Sequence, residues 1–170
     1  MPPSNFPANL TDTLAKIEIS MAPFYLEDFT PGWRIKTSSY TLGEDEMVAF
    51  ARKYDPQPFH LDAEAAEKSF FGGLVASGFQ SAALTWKLAT ETGIFKDSGI
   101  AGIGIDELHW LHPLHINDTV TCTLEVLANH PSTSKPDRGS VVIRYDLDNH
   151  DGRKILTLKL TQILLRRPKN

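Results

Sequence analysis

The chain carries a single cysteine, Cys122, in 170 residues. One cysteine excludes an intrachain disulfide and a thiolate metal cluster. Its place in an alternating apolar pattern marks it as a buried structural thiol. Blocks of basic residues are also missing. Apart from Arg166-Arg167 and Lys169, lysine and arginine are scattered, and the formal net charge is -4. That balance excludes the basic footprint of a nucleic-acid binder, and the small basic cluster reads as solvated chain. No apolar run approaches the ~20 residues that a membrane span needs. Met1 to Asn9 hold Pro2, Pro3 and Pro7 and show no basic segment followed by an apolar one. A secretory leader is therefore not expected, and a cytoplasmic location is. There is no internal repeat.

What is present is ordinary for a soluble globular protein: 41% hydrophobic and 22% charged residues. A chain of this length is most simply one domain, able to bury roughly 70% of its unfolded surface. We expect an N-terminal arm over 1–22, with a short helix from Leu10 to Ile19, and a single domain over 23–170. Phe29-Thr30-Pro31-Gly32 reads as a turn and Trp33 to Leu42 as a strand. Thr41 and Glu44 resemble a capping box ahead of a helix in which Met47, Phe50, Ala51 and Tyr54 recur at helical spacing. Pro56 ends it. Asp62 suits the N-cap of a second short helix through Ser69.

Ser77 and Gln80 form another candidate capping box. The helix they open, Gly78 to Thr92, is apolar on more than one side, which places it centrally and buried. Gly93 is its stop. Three alternating runs follow, around Val120–Val126, Val141–Leu147 and Ile155–Leu165, separated by turn signals at 135–139 and 149–152. A buried helix followed by an antiparallel meander is an α+β domain.

The chemistry concentrates in Asp55-Pro56-Gln57-Pro58-Phe59-His60. Each proline fixes its own φ and moves the residue before it out of the α region. Such a turn can hold a carboxylate and an imidazole in one geometry, as acid–base work on a bound water requires. An Asp and a His this close also arise by chance, and Asp-Pro is a common helix stop, so the surroundings decide. Gly78 stands where the first N–H groups of a helix lack intrahelical partners and the positive dipole end emerges. Without a Cβ it lets a ligand oxygen approach closely, as in an oxyanion hole. It reads equally well as a small residue at a crowded helix start. His109, His112 and His115 invite a metal reading, but on a strand 109 and 112 face opposite ways and Pro113 breaks the regularity, so no metal is expected. Trp110 and Leu111 read as core or rim residues.

Taken together, Asp55-x-x-Pro58-x-His60, the continuation Leu61-Asp62 and Ser77-Gly78 resemble the MaoC-like dehydratases, the hot-dog-fold family that includes the R-specific enoyl-CoA hydratases. The resemblance covers about residues 24–167. Departures are Gln57 for the usual Asn, Phe59 for a smaller aliphatic residue, Ser77 where His often precedes the Gly, and Trp86 deep on the central helix. The resemblance implies a curved antiparallel sheet wrapped around the helix, a homodimer or higher homo-oligomer, and reversible syn addition of water to a 2-enoyl-CoA thioester giving the 3-hydroxyacyl-CoA. Asp55 and His60 would share the water, and the Gly78 N–H would hold the thioester oxygen. Gln57, Pro58, Phe59, Phe71, Ser77, Phe79 and Trp86 would contact substrate, and no cofactor is implied beyond the coenzyme A of the substrate itself. With Phe70, these aromatics would crowd the acyl site, so short or compact acyl groups are expected. Two alternatives stay open. A hot-dog thioesterase carries its carboxylate on the central helix, where only Glu91 is available, at the far end. A non-catalytic acyl-CoA-binding module would keep the scaffold alone.

Overall fold

The computed structural model describes residues 23–169, so the expected arm and its helix lie outside the described residues. Six strands form one antiparallel sheet. Three long ones carry the core: β4 (Thr119–Pro131), β5 (Arg138–Asn149) and β6 (Lys154–Leu165). Their alternation is the alternation of the sequence. Val120, Cys122, Leu124 and Val126 face inward from β4, and Val141, Ile143, Tyr145 and Leu147 from β5, all fully buried. Burial pushes the Cys122 thiol up to about 12, helped by the negative charges of Asp146 and Asp148, so it is an inert packing group at neutral pH.

The segment read as one strand is two. β1 (Arg34–Lys36) and β2 (Tyr40–Thr41) both lie on β4. Thr37 causes the break. Its N–H still donates to the Cys122 carbonyl at 2.9 Å, but its hydroxyl accepts the Cys122 N–H at 3.0 Å and donates to the Ser38 carbonyl at 2.8 Å, so a side chain takes the next ladder bond in place of the backbone. The first capping box is also absent. Helix α1 (Glu44–Tyr54) starts behind Gly43, while the Thr41 hydroxyl meets that of Thr119 across the sheet at 2.7 Å. Three acids at its start and Arg52-Lys53 at its end match the helix dipole.

Two short helices follow, α2 (Pro58–Leu61) and α3 (Ala63–Glu67). Asp62 caps α3 as expected, accepting from the Ala65 N–H at 2.8 Å. The central helix α4 (Gly78–Glu91) buries Leu84, Leu88 and Ala89 and packs on β4, β5 and β6. Ser77 caps it by accepting from Phe79 N–H, but Gln80 does not complete a box: its amide donates to the Glu46 carbonyl and ties α4 to α1. Gly93 stops the helix at φ 78°, a left-handed conformation that suits glycine.

Strand β3 (Gly99–Trp110) closes one edge of the sheet, in the order β1-β4-β5-β6-β3. It pairs with β6 through three register shifts. One shift lies between Asp106 and His109, where Glu107 takes a φ of 52°. The result is a mixed fold, an open curved antiparallel sheet around one buried helix.

Candidate active site

Asp55 is the residue at which α1 ends. Its N–H still bonds the Ala51 carbonyl, but with φ -151° and ψ 70° it has left the helix. Its carbonyl then accepts from the Gln57 N–H at 2.8 Å, and the Gln57 carbonyl accepts from the His60 N–H at 2.9 Å. With Pro58 as the first residue of α2, the two prolines and these two bonds fix the turn. Gln57 and Pro58 therefore shape the backbone and are exposed; neither lies on the cavity wall described below.

His60 is buried, at 6% exposure. Its Nδ1 lies 2.7 Å from the Val75 carbonyl, which can only accept, so Nδ1 carries the hydrogen. Its Nε2 faces Asp55, whose Oδ2 is 3.5 Å away. Oδ2 also receives the Ser77 hydroxyl at 2.7 Å. Ser77 has no exposed surface and links the acid to the first turn of α4. It is thus a support for Asp55 rather than a surface for substrate.

These groups border a cavity of about 420 Å³. Of the residues predicted to form the site, Asp55, Phe59, His60, Phe71, Gly78 and Phe79 line it, and Phe70 stands beside them. Phe59 sits edge-on to the His60 ring at 4.5 Å, and Phe71 packs on Phe59 in turn at 5.2 Å. Among the described residues the Gly78 N–H has no protein acceptor, and Gly78 opens onto the cavity. Trp86 departs from expectation. It lies farther along α4, stacked on Phe95 at 5.8 Å and near Tyr145, off the cavity wall. The reason is distance along the helix: eight residues beyond Gly78, Trp86 lies about 12 Å farther down the axis, beside Phe95.

Sequence reading missed Trp110, taken as core or rim. It lines the cavity at 47% exposure and donates its indole N–H to the Gly78 carbonyl at 2.8 Å. No local signal points to a contact between residues this far apart in the chain. The histidine run resolves differently from the strand argument. β3 ends at Trp110, so only His109 is on a strand; His112 bonds the Lys154 carbonyl through Nδ1, and the His115 N–H donates to Asp118. Glu91 pairs with Lys87 on the exposed side of α4, away from the cavity.

A buried helix in a curved sheet, with an acid–imidazole pair aimed at the helix start, defines a hot-dog protein with a polar site at one end of an apolar cavity. The MaoC like domain model matches residues 28–146, and the chain belongs to that family. It is 36% identical over 110 residues to the Bacillus subtilis uncharacterized protein YdeM, covering 65% of this chain and 78% of that one. The crystal structure of a MaoC-like dehydratase from Rhodospirillum rubrum superposes with a TM-score of 0.80 at 36% identity, covering 86% of this chain and 99% of that one. A Mycobacterium tuberculosis protein described as having a double hot-dog fold superposes with a TM-score of 0.72 at 17% identity, over 87% of this chain and 46% of that one, which shows the fold alone. Among the described residues, no helix is long and apolar enough to cross a membrane.

Proposed function

We propose that this member of the MaoC-like dehydratase family hydrates 2-enoyl-CoA thioesters reversibly. The observation that carries the reading is the pair Asp55 Oδ2 and His60 Nε2, 3.5 Å apart beside a cavity that Gly78 also lines. A water placed between two acceptors donates one hydrogen to each, leaving its oxygen lone pairs toward the cavity. Its oxygen adds to the β-carbon of the bound enoyl group. One water proton passes to the pair and returns to the α-carbon on the same face. The electron pair displaced from the double bond collects on the thioester oxygen, where the Gly78 N–H and the helix dipole stabilise it. One coupled pair both takes and gives the proton, so neither group needs an extreme affinity for it. Water and the enoyl thioester balance the step, the water supplying both the hydroxyl and the α-carbon hydrogen, and no redox equivalent enters. Phe59, Phe71 and Phe79 crowd the cavity and support a preference for short or compact acyl groups. The cavity carboxylate sits at a helix end rather than on α4, which favours hydration over thioester cleavage. The working form in this reading is a homodimer.

The purified protein should consume crotonyl-CoA without releasing free thiol, both followed in parallel. Asp55→Asn and His60→Ala should each lower turnover by roughly 100-fold or more, and the double variant should lose little beyond that, since groups acting as a unit are non-additive. Full activity in either single variant would remove that residue from the mechanism. Thiol release in place of hydration would turn the reading toward a thioesterase.

A further inference from the structure

We propose that Trp110 is a positioning residue that holds the Gly78 peptide in register with the Asp55–His60 pair; this rests on the hydratase reading above. Trp110 is the last residue of β3, opposite Leu156 on β6. The two residues after it are pinned as well, since the N–H groups of Leu111 and His112 both point to the Ile155 carbonyl, at 2.8 and 3.2 Å. The indole therefore projects from a fixed piece of sheet. It reaches the first residue of α4 and donates to the Gly78 carbonyl at 2.8 Å, with its ring edge-on to Phe79 at 5.6 Å.

The contact is close enough to dictate sequence. A Cβ on residue 78 would meet Cε2 and Nε1 of the indole at 2.7 Å, nearer than real Cβ contacts come. Glycine at 78 is thus required by the tryptophan, besides any need for a ligand to approach. Backbone permissiveness is not the reason, because Gly78 is an ordinary helical residue at the start of α4.

The peptide that follows Gly78 is gripped at both ends. Its oxygen takes the Trp110 N–H, and its N–H, that of Phe79, goes to the Ser77 hydroxyl at 3.2 Å. The same hydroxyl donates to Asp55. One chain of hydrogen bonds therefore runs from β3 through the first turn of α4 to the acid, and the free Gly78 N–H lies in the middle of it. Capping by Ser77 alone leaves the first turn free to rock about the cap. The indole removes that freedom from the sheet side. A donor that must meet charge only in the transition state gains from such rigidity, because misplacement by a fraction of an ångström weakens it without changing how substrate binds beforehand.

The test uses the full chain, crotonyl-CoA as probe and three variants. Trp110→Phe keeps most of the ring and removes only the donor. It should fold with a melting temperature near wild type, lower kcat about tenfold and leave KM within about twofold. Gly78→Ala should be crippled in the Trp110 background by the clash. Trp110→Ala with Gly78→Ala should regain the part of the loss that the clash causes, rising to about the level of Trp110→Phe, because the added methyl then meets open space while the indole donor is still missing. Wild-type kcat in a folded Trp110→Phe variant would overturn the proposal while leaving the hydratase reading intact. So would equal damage by Gly78→Ala with and without the indole. A wild-type protein that hydrates no enoyl thioester would instead remove the reading and this inference together.

Discussion

Ser77 uses one hydroxyl twice. It donates to Asp55 Oδ2 at 2.7 Å and accepts from the Phe79 N–H at 3.2 Å, so the orientation of the acid and the start of α4 depend on a single buried atom. Ser77→Ala removes both bonds. It should cost about 1–2 kcal/mol of stability, the ordinary loss of an N-cap, measured by urea unfolding. It should also lower kcat on crotonyl-CoA by about tenfold, because Asp55 loses the partner that holds it against His60. A variant that is less stable but turns over normally would confine Ser77 to capping. At this scale the acid–base pair was legible in the sequence because its backbone is local: two prolines and two backbone bonds within six residues bring Asp55 and His60 together, and the distant Ser77 and Val75 then orient their side chains. Gln57 and Pro58 carried the same signal but serve the turn, which spacing cannot separate from contact with substrate. Trp110 was not legible, because its partner Gly78 is reached only when β3 and α4 have packed.

Strand β5 shows how an element is stabilised by charge as well as by its buried side. On the outer face Asp146 accepts from Thr157 at 2.6 Å and pairs with Lys154 at 2.8 Å, with Arg144 close by. Partial burial by itself would raise the Asp146 carboxyl, but the bonds from Lys154 and Thr157 and the nearby positive charges outweigh it and hold it below the usual range. A carboxyl depressed on folding adds stability that is fully present above its unfolded pKa, around 4, and is lost as the pH falls through the lower folded value. Stability measured by urea unfolding should therefore drop between about pH 5 and pH 2, and Asp146→Asn should flatten part of that slope. Identical slopes for the two proteins would mean the ion pairs on this face contribute nothing. Strands β4 to β6 were legible because a face buried on one side imposes period two along many residues. The break at Thr37 was not, since a threonine whose hydroxyl takes a ladder bond from Cys122 and donates to Ser38 looks, in sequence, like any strand threonine. The capping-box patterns failed for a similar reason: Thr41 had a cross-strand partner in Thr119, and Gln80 had the Glu46 carbonyl.

The whole molecule presents one surface out of keeping with a finished sheet. β3 lies at the edge, and Ile100, Ile103, Ile105 and Trp110 on it are 42%, 62%, 56% and 47% exposed. Edge strands are normally blunted by charge, proline or brevity. This one runs for twelve residues, and its first seven, Gly99 to Ile105, carry no charge at all. A second copy is the occupant such an edge fits. An antiparallel strand pairs with itself about a two-fold axis, so one patch serves both partners and the assembly closes as a dimer. The proposed homodimer would then cover the isoleucines and satisfy the free backbone groups of β3. The pairing bears on the site as well, because β3 ends in Trp110, and a strand held on both sides fixes that indole more firmly than one held on β6 alone. Light scattering at micromolar concentration should give twice the mass of the chain. Replacing Ile103 and Ile105 together by lysine puts two like charges opposite their symmetry mates and should yield a folded monomer, with kcat on crotonyl-CoA reduced more than KM is raised. A wild-type monomer under those conditions would exclude the dimer. A monomeric double variant with unchanged kcat would show that β6 alone holds the site, and that assembly only protects an edge.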